Sequence, residues 1–212
     1  MELVLASRNI KKIHEIELIL RPIINDIKIL SLDDINYHDD IDENGETFED
    51  NAYIKAAIPA KMGYIGISDD SGLEVDVLNG RPGVYSSRYS GLHASDDDNN
   101  DKLLLELLQY PVETRTARFV CVICCAFPDG NYINVRGTCE GVIIDNPRGE
   151  NGFGYDPLFY CTEFDKTFAE LTDDEKNSIS HRGKALKMFA EEFKNYLKTN
   201  KHITQQIKEN NI

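Results

Sequence analysis

Nine consecutive residues, Phe119-Val-Cys-Val-Ile-Cys-Cys-Ala-Phe127, carry no charged or amide side chain. An apolar run of this length, closed by a polar turn, reads as a strand covered on both faces. It is far shorter than the roughly 20 residues a membrane helix needs. Pro128-Asp129-Gly130 follows, and a second strand-like run covers 132–142, so the two are expected to pair as a hairpin. A strand buried on both sides needs helices over the sheet, and the chain supplies them. Residues 3–6 read as a strand and 7–9 as a polar turn. A helix follows, with Ile10, Ile13, Ile16 and Leu20 on one side and an end near Pro22. Residues 27–30 read as a strand and 33–46 as an acidic loop. Thr47 opens a helix over 47–62, where Asp50 completes a weak capping box and Pro59 blurs the end. Short strands are expected at 64–68 and 73–78, on either side of Asp69-Asp70-Ser71-Gly72, with Asn79-Gly80 as a turn. A helix at 101–108 and a loop at 145–157 come next. A last helix places Leu186, Phe189, Phe193 and Leu197 on one face. This order predicts an α/β fold with a mixed sheet and flanking helices. No repeat or linker interrupts it, so one domain is expected over 1–198, with a polar tail over 199–212.

Charge narrows the function classes. With 23 Lys and Arg against 37 Asp and Glu, the net charge is −14. Such a chain is a poor general nucleic-acid binder, because phosphate neutralisation dominates that affinity. No apolar stretch suits a membrane span, and the N-terminus runs into a strand rather than a signal peptide, so a cytoplasmic setting is expected. Cys121, Cys124 and Cys125 lie inside the apolar run, and no second Cys pair with metal-ligand spacing follows. They read as core thiols, and the odd total of five cysteines argues against a disulfide framework.

Four stretches have the wrong composition for scaffolding alone. Ser7-Arg8-Asn9-Ile10-Lys11-Lys12 lies between a strand and a helix, where unpaired N–H groups and the helix dipole favour a phosphate within reach of Lys12. Ser68-Asp69-Asp70-Ser71-Gly72 places two acids at an expected strand end, suited to Mg²⁺ or to orienting a water. The loop around Phe153-Gly154-Tyr155-Asp156 offers flexible backbone and an aromatic face on which a base can stack. Lys176, Ser180, His181 and Arg182 lead into the last helix, and cations at a helix start call for an anionic or acceptor partner. Together these groups specify a nucleoside polyphosphate site.

The same residues resemble a known family, the inosine-triphosphate pyrophosphatases or Ham1 family. The resemblance runs from Leu3 to about Leu186 and rests on ordered blocks. These are Ser7-x-Asn9-x-x-Lys12, Thr47-Phe-Glu-Asp-Asn51-Ala52-x-x-Lys55-Ala56, Ser68-Asp-Asp-Ser-Gly72, Leu78-Asn-Gly-x-Pro-Gly-Val-Tyr-Ser86, Gly152-Phe-Gly-Tyr-Asp-Pro157 and Lys176-Asn-x-Ile-Ser-His-Arg-Gly183. Two positions depart from the family pattern: Arg8 stands where many members have Gly, and Asp50 replaces a common Glu.

The resemblance implies an elongated, two-lobed mixed sheet with the active site in the cleft between lobes, and a homodimer. It implies Mg²⁺-dependent hydrolysis of ITP, dITP and XTP to the monophosphate and pyrophosphate. Asp70 matches the catalytic acid, with Asp69 beside it. Lys12 and the turn from Ser7 match the triphosphate site, and Ser71 a substrate contact. Phe153, Gly154, Tyr155, Asp156, Lys176, His181 and Arg182 match base- and substrate-binding positions. Asp70 and Glu43 are the expected metal carboxylates. Two other readings carry the same residues: a Maf-like pyrophosphatase of different base specificity, and a nucleotide-binding module without catalysis.

Overall fold

The structure, a computed structural model, describes residues 2–8, 13, 16–17, 20–21 and 27–200. Its strands are β1 (Glu2–Leu5), β2 (Lys28–Leu30), β3 (Gly66–Val75), β4 (Thr116–Ala126), β5 (Tyr132–Ile143), β6 (Phe159–Cys161) and β7 (Lys166–Thr167). They form one sheet in the order β2-β1-β3-β4-β5-β6-β7. β1 runs parallel to β2 and β3, with Val4 opposite both Leu30 and Gly66. β6 runs antiparallel to β5 and β7. The expected mixed sheet is therefore present. The helices named here are α1 (Phe48–Lys61), α2 (Asp96–Leu107), α3 (Asp173–Ile179) and α4 (His181–Thr199). Among the described residues no helix is long and apolar enough to cross a membrane.

The chain packs as two compact units. The first comprises the residues up to Asp70, then Val122–Arg136 and the chain from Ala185; the second comprises Ser71–Cys121 and Gly137–Lys184.

In the first unit, Leu3, Val4 and Leu5 of β1 are buried along with Ile16 and Leu20. Ile13, Ile16, Glu17 and Leu20 are helical as expected, whereas Ile10 and Pro22 lie outside the described residues. The expected turn joins β4 to β5: Phe127 N–H donates to Asn131 O at 2.9 Å, and Gly130 takes φ +88°. Leu186, Phe189 and Phe193 of α4 are buried, Phe193 stacks on Phe127 at 6.2 Å, and Leu197 is only half-buried.

α1 is fixed at both ends. Thr47 accepts from Asp50 N–H and the Asp50 carboxylate accepts from Thr47 N–H, both at 3.1 Å, so the shorter acid closes a complete capping box. Pro59 has no N–H to give the carbonyl four residues back, yet the helix continues through it to Lys61. Ala52, Ala56 and Ala60 recur every four residues and form one buried face. β3 meets this face through Gly66, where an added Cβ would lie 2.0 Å from the Ala56 carbonyl oxygen.

β3 corrects the sequence reading. The two short strands expected around Asp69-Asp70-Ser71-Gly72 are one continuous strand over Gly66–Val75, and 76–78 is a 3-10 turn. The acids therefore sit in mid-strand rather than at a strand end. Polar residues continue the strand here because α1 supplies them with partners, including a bond from Ser68 Oγ to the Ala52 carbonyl.

The second unit has its own core, with Leu73, Val75, Leu103, Leu107, Phe119, Phe159 and Phe168 buried together. The Phe119 ring lies 4.6 Å from Phe159 and 5.5 Å from Phe168. α2 starts at Asp96, five residues before the expected Asp101. Ser95 and Asp98 make a reciprocal capping box at 3.1 and 2.9 Å, so the acidic run is the helix's first turn rather than loop.

All five cysteines are free and buried. Burial pushes the Cys124 thiol up to about 12. The native protein is expected to resist iodoacetamide at pH 8 and to label on all five thiols only after unfolding. Rapid labelling of Cys124 in the native state, seen by intact mass, would contradict this assignment.

Candidate active site

The polar centre of the first unit is built by β3 and α1. Neighbouring residues of a strand point to opposite faces, so Asp69 and Asp70 cannot both face α1. Asp70 does so, with Lys55 Nζ donating to its Oδ1 at 2.8 Å. The same ammonium donates to Glu43 Oε2 at 2.8 Å. Asn51, one helical turn before Lys55, donates to Asp70 Oδ2 at 3.4 Å and accepts from Gly45 N–H at 2.8 Å. Asn51 thus ties the acidic loop to the strand.

Asp69, Asp70, Asn51 and Lys55 are all buried. Burial pushes the Asp70 carboxyl up to about 6; Lys55 pulls against that rise and Glu43 adds to it. Burial alone would lower Lys55, but the charges of Asp70, Glu43 and Asp69 outweigh it and hold the ammonium above its ordinary value.

Glu43, Lys55 and Asp69 line a cavity of about 350 Å³, together with Ser7, Arg8 and Asp40 among others; Asp70 reaches it through its bond with Lys55. The turn after β1 and the acids therefore meet in one place. Arg8 does not point freely into solvent. It donates to Asp39 O at 2.8 Å and Tyr37 O at 3.3 Å, and pairs with Asp33 and Asp40 at 3.6 Å. This side chain fastens the acidic loop. Asn9, Ile10, Lys11 and Lys12 lie outside the described residues. Ser71, which follows Asp70 in β3, is half-buried.

The second unit gathers another set. Asp156 is buried, accepts from Phe153 N–H at 2.9 Å and takes a hydrogen bond from Lys176 Nζ. Burial raises its carboxyl above the usual range, with Lys176 and the Phe153 N–H pulling it back. Gly152 is required beside it, since an added Cβ would lie 2.0 Å from Asp156 Oδ2. The Lys176 ammonium lies 5.1 Å from the centre of the Phe153 ring, which is exposed. Tyr155 is buried and its hydroxyl donates to Ser86 O at 2.8 Å, so its polar end is used within the protein.

The cations of the fourth stretch divide between two helices. Lys176 belongs to α3 and lies towards its C-terminus, where the dipole favours it. Only His181 and Arg182 open α4. Ser180 Oγ accepts from Gly183 N–H at 3.0 Å. Both His181 and Arg182 are buried, and the imidazole stacks on Phe119 at 4.9 Å.

Sequence reasoning gave no role to Lys55 or Asn51. Their signal was visible: two polar residues four apart within the alanine face of α1.

Fold and site define a class, an α/β protein with a mixed sheet and a buried acid–lysine centre. The Ham1 family model matches residues 3–192. A dITP/XTP pyrophosphatase from Bacillus cereus is 47% identical over 193 residues, covering 90% of this chain and 93% of that protein. The solved structure of a HAM1 protein from Coxiella burnetii matches with a TM-score of 0.86 at 41% identity, covering 92% of this chain and 99% of that one. That of the Staphylococcus aureus Ham1 protein matches with a TM-score of 0.84 at 42% identity, covering 92% and 100%. The chain belongs to the Ham1 family. These matches favour the Ham1 pyrophosphatases over the Maf-like alternative.

Proposed function

We propose that this protein hydrolyses non-canonical purine nucleoside triphosphates, ITP, dITP and XTP, to the monophosphate and pyrophosphate. The observation that carries the chemistry is the Lys55 ammonium held 2.8 Å from both Asp70 and Glu43, beside a cavity that Ser7 and Asp69 also line. Kinship with proteins named dITP/XTP pyrophosphatases supports the choice of substrate.

The donors beside the cavity fit Mg²⁺. Asp70 and Glu43 offer hard oxygens, and Mg²⁺ usually takes one or two carboxylates, its remaining sites filled by water and substrate phosphate. Among the described residues no three His, Cys, Asp or Glu groups form a ready-made cage, which suits an ion that arrives with its nucleotide. Asp70 and Glu43 would hold it, and when bound it supplies positive charge against the phosphate oxygens.

The chain's own residues do the rest. Ser7 and Lys12 bind the phosphate chain, as the family resemblance implies. Lys55 offsets the charge of the acids and keeps Asp70 oriented. Asp70, or Asp69 beside it, orients a water for in-line attack on the α-phosphorus and accepts its proton, and pyrophosphate departs. Phe153 stacks on the base, and Arg182 or His181 donates to the oxygen at position 6 of hypoxanthine or xanthine. Adenine carries a donor there, and a donor facing donors in a buried site is rejected. A homodimer in the cytoplasm belongs to the same reading, on family resemblance.

A substrate panel tests the proposal. Pyrophosphate release from ITP and XTP is expected to exceed that from ATP by at least about 100-fold in kcat/KM, a ratio within reach of hydrogen-bond readout. Release is expected to stop without a divalent ion. Equal turnover of ATP and ITP, or tight ITP binding with no pyrophosphate, would defeat it.

A further inference from the structure

The tip of the loop that carries Phe153 is bound on both sides by α2. Gly154 N–H donates to Asp96 Oδ2 at 2.7 Å, and Asn100 Nδ2 donates to Gly154 O at 3.0 Å. Asp96 and Asn100 are four apart and share one face of α2. They take both polar groups of one residue, as a neighbouring strand would. The residues around Gly154 are held as firmly. Phe153 N–H donates to Asp156, Tyr155 hydroxyl donates to Ser86 O, and Asp156 N–H donates to Phe153 O. Gly154 itself takes φ +61°, a conformation that suits glycine and lets the tip lie against α2.

Against this fixed frame one large side chain is left out. The Phe153 ring is 62% exposed, with the Lys176 ammonium over it. An apolar ring on a mobile loop would lose entropy whenever a base stacked on it. A ring on a frame already ordered does not. Among the described residues the buried Asn100 side-chain carbonyl also has no hydrogen-bond partner. The cost of burying that oxygen makes sense if the position of its amide matters.

We propose that Asp96 and Asn100 are positioning residues for nucleobase recognition: α2 fixes Gly154 so that the adjoining Phe153 ring stands ready as the stacking platform. The inference rests on the proposed role of Phe153 and adds to it the device that holds the ring in place. It assigns to α2 a part in choosing substrate without touching the phosphates.

The test separates base binding from phosphate binding. Asn100→Ala is expected to raise KM for ITP about tenfold, the usual loss when one well-placed buried hydrogen bond is removed, with kcat changed less than about twofold. Inhibition by inorganic tripolyphosphate, which has no base, is expected to keep its wild-type constant. In the Asn100→Ala/Phe153→Ala double variant KM should be no higher than in Phe153→Ala alone, because the first change acts through the second residue. Additive losses in KM, or an equal weakening of tripolyphosphate, would overturn the inference. Asp96→Asn, which keeps an acceptor for Gly154 N–H, should restore most of the affinity that Asp96→Ala loses; equal losses in both would also count against it. Failure of the underlying reading is distinguishable, since Phe153→Ala alone would then leave KM for ITP unchanged.

Discussion

Asp70→Asn is expected to lower kcat for ITP by two to four orders of magnitude at saturating Mg²⁺, the usual yield of a general base in place, while leaving the metal-free protein as stable at pH 7.5 as the parent, or more so. The two halves have one cause. A carboxylate beside the cavity is useful only when ionised, and burial opposes ionisation, pushing Asp70 up to about 6 from an ordinary 3.8. The folded state thus holds this proton more tightly than the unfolded chain does. The contribution to stability is full below about 3.8 and is lost as pH rises through about 6. The displacement corresponds to roughly 3 kcal/mol at neutral pH, as an upper figure. Asparagine never ionises and so escapes that loss, although Lys55 is left with Glu43 as its nearer carboxylate. The Asn51 bond survives, because the new amide oxygen can still accept it. Melting temperatures of parent and variant without metal, at pH 4.5 and 7.5, are expected to favour the variant increasingly at the higher pH. Turnover within threefold of the parent, or a variant that loses stability only at pH 7.5, would sink the assignment of Asp70.

Much of the fold was legible because local chemistry and tertiary demand agreed. Thr47 and Asp50 announced the start of α1, and the apolar run at 119–127 together with Pro128-Asp129-Gly130 announced the hairpin. The second unit's set was legible for the same reason: Phe153, Asp156 and Lys176 are odd residues for a scaffold, and they meet. Reading failed where polar side chains find partners far away in sequence. Asp69-Asp70-Ser71-Gly72 looked like a break between strands, yet β3 runs through it, because Lys55 lies fifteen residues back and answers Asp70 across space. The sequence reading began α2 at Asp101, whereas the capping geometry of Ser95 and Asp98 starts it at Asp96. Lys55 itself was missed because a lysine on a helix is usually solvated, and only the alanines around it marked that face as buried.

Gly66→Ala is expected to be the most damaging small substitution in the first unit. The position looks harmless, since alanine fits a strand and φ there is not positive. The obstacle is distance. The new Cβ would stand 2.0 Å from the Ala56 carbonyl oxygen and 3.1 Å from both the Ala56 carbonyl carbon and Pro59 Cγ. Helix backbone cannot rotate away as a side chain can, so β3 and α1 must separate. Overpacking of this kind costs about 3 kcal/mol or more, which in a protein of this size lowers Tm by roughly 6–12 °C. The effect does not stop at stability. Asn51 and Lys55 ride on α1 and Asp70 rides on β3, so the same separation loosens the contacts between Lys55 and Asp70 and is expected to reduce kcat in the fraction that folds. Ser68→Ala supplies the comparison. It removes the bond from Ser68 Oγ to the Ala52 carbonyl across the same interface, adds no bulk, and should cost only about 1 kcal/mol. Thermal melts and ITP turnover of the two variants, measured side by side, decide the matter. If Gly66→Ala melts within about 2 °C of the parent, a loss below about 1 kcal/mol, the close approach of β3 to α1 is not what holds Lys55 against Asp70.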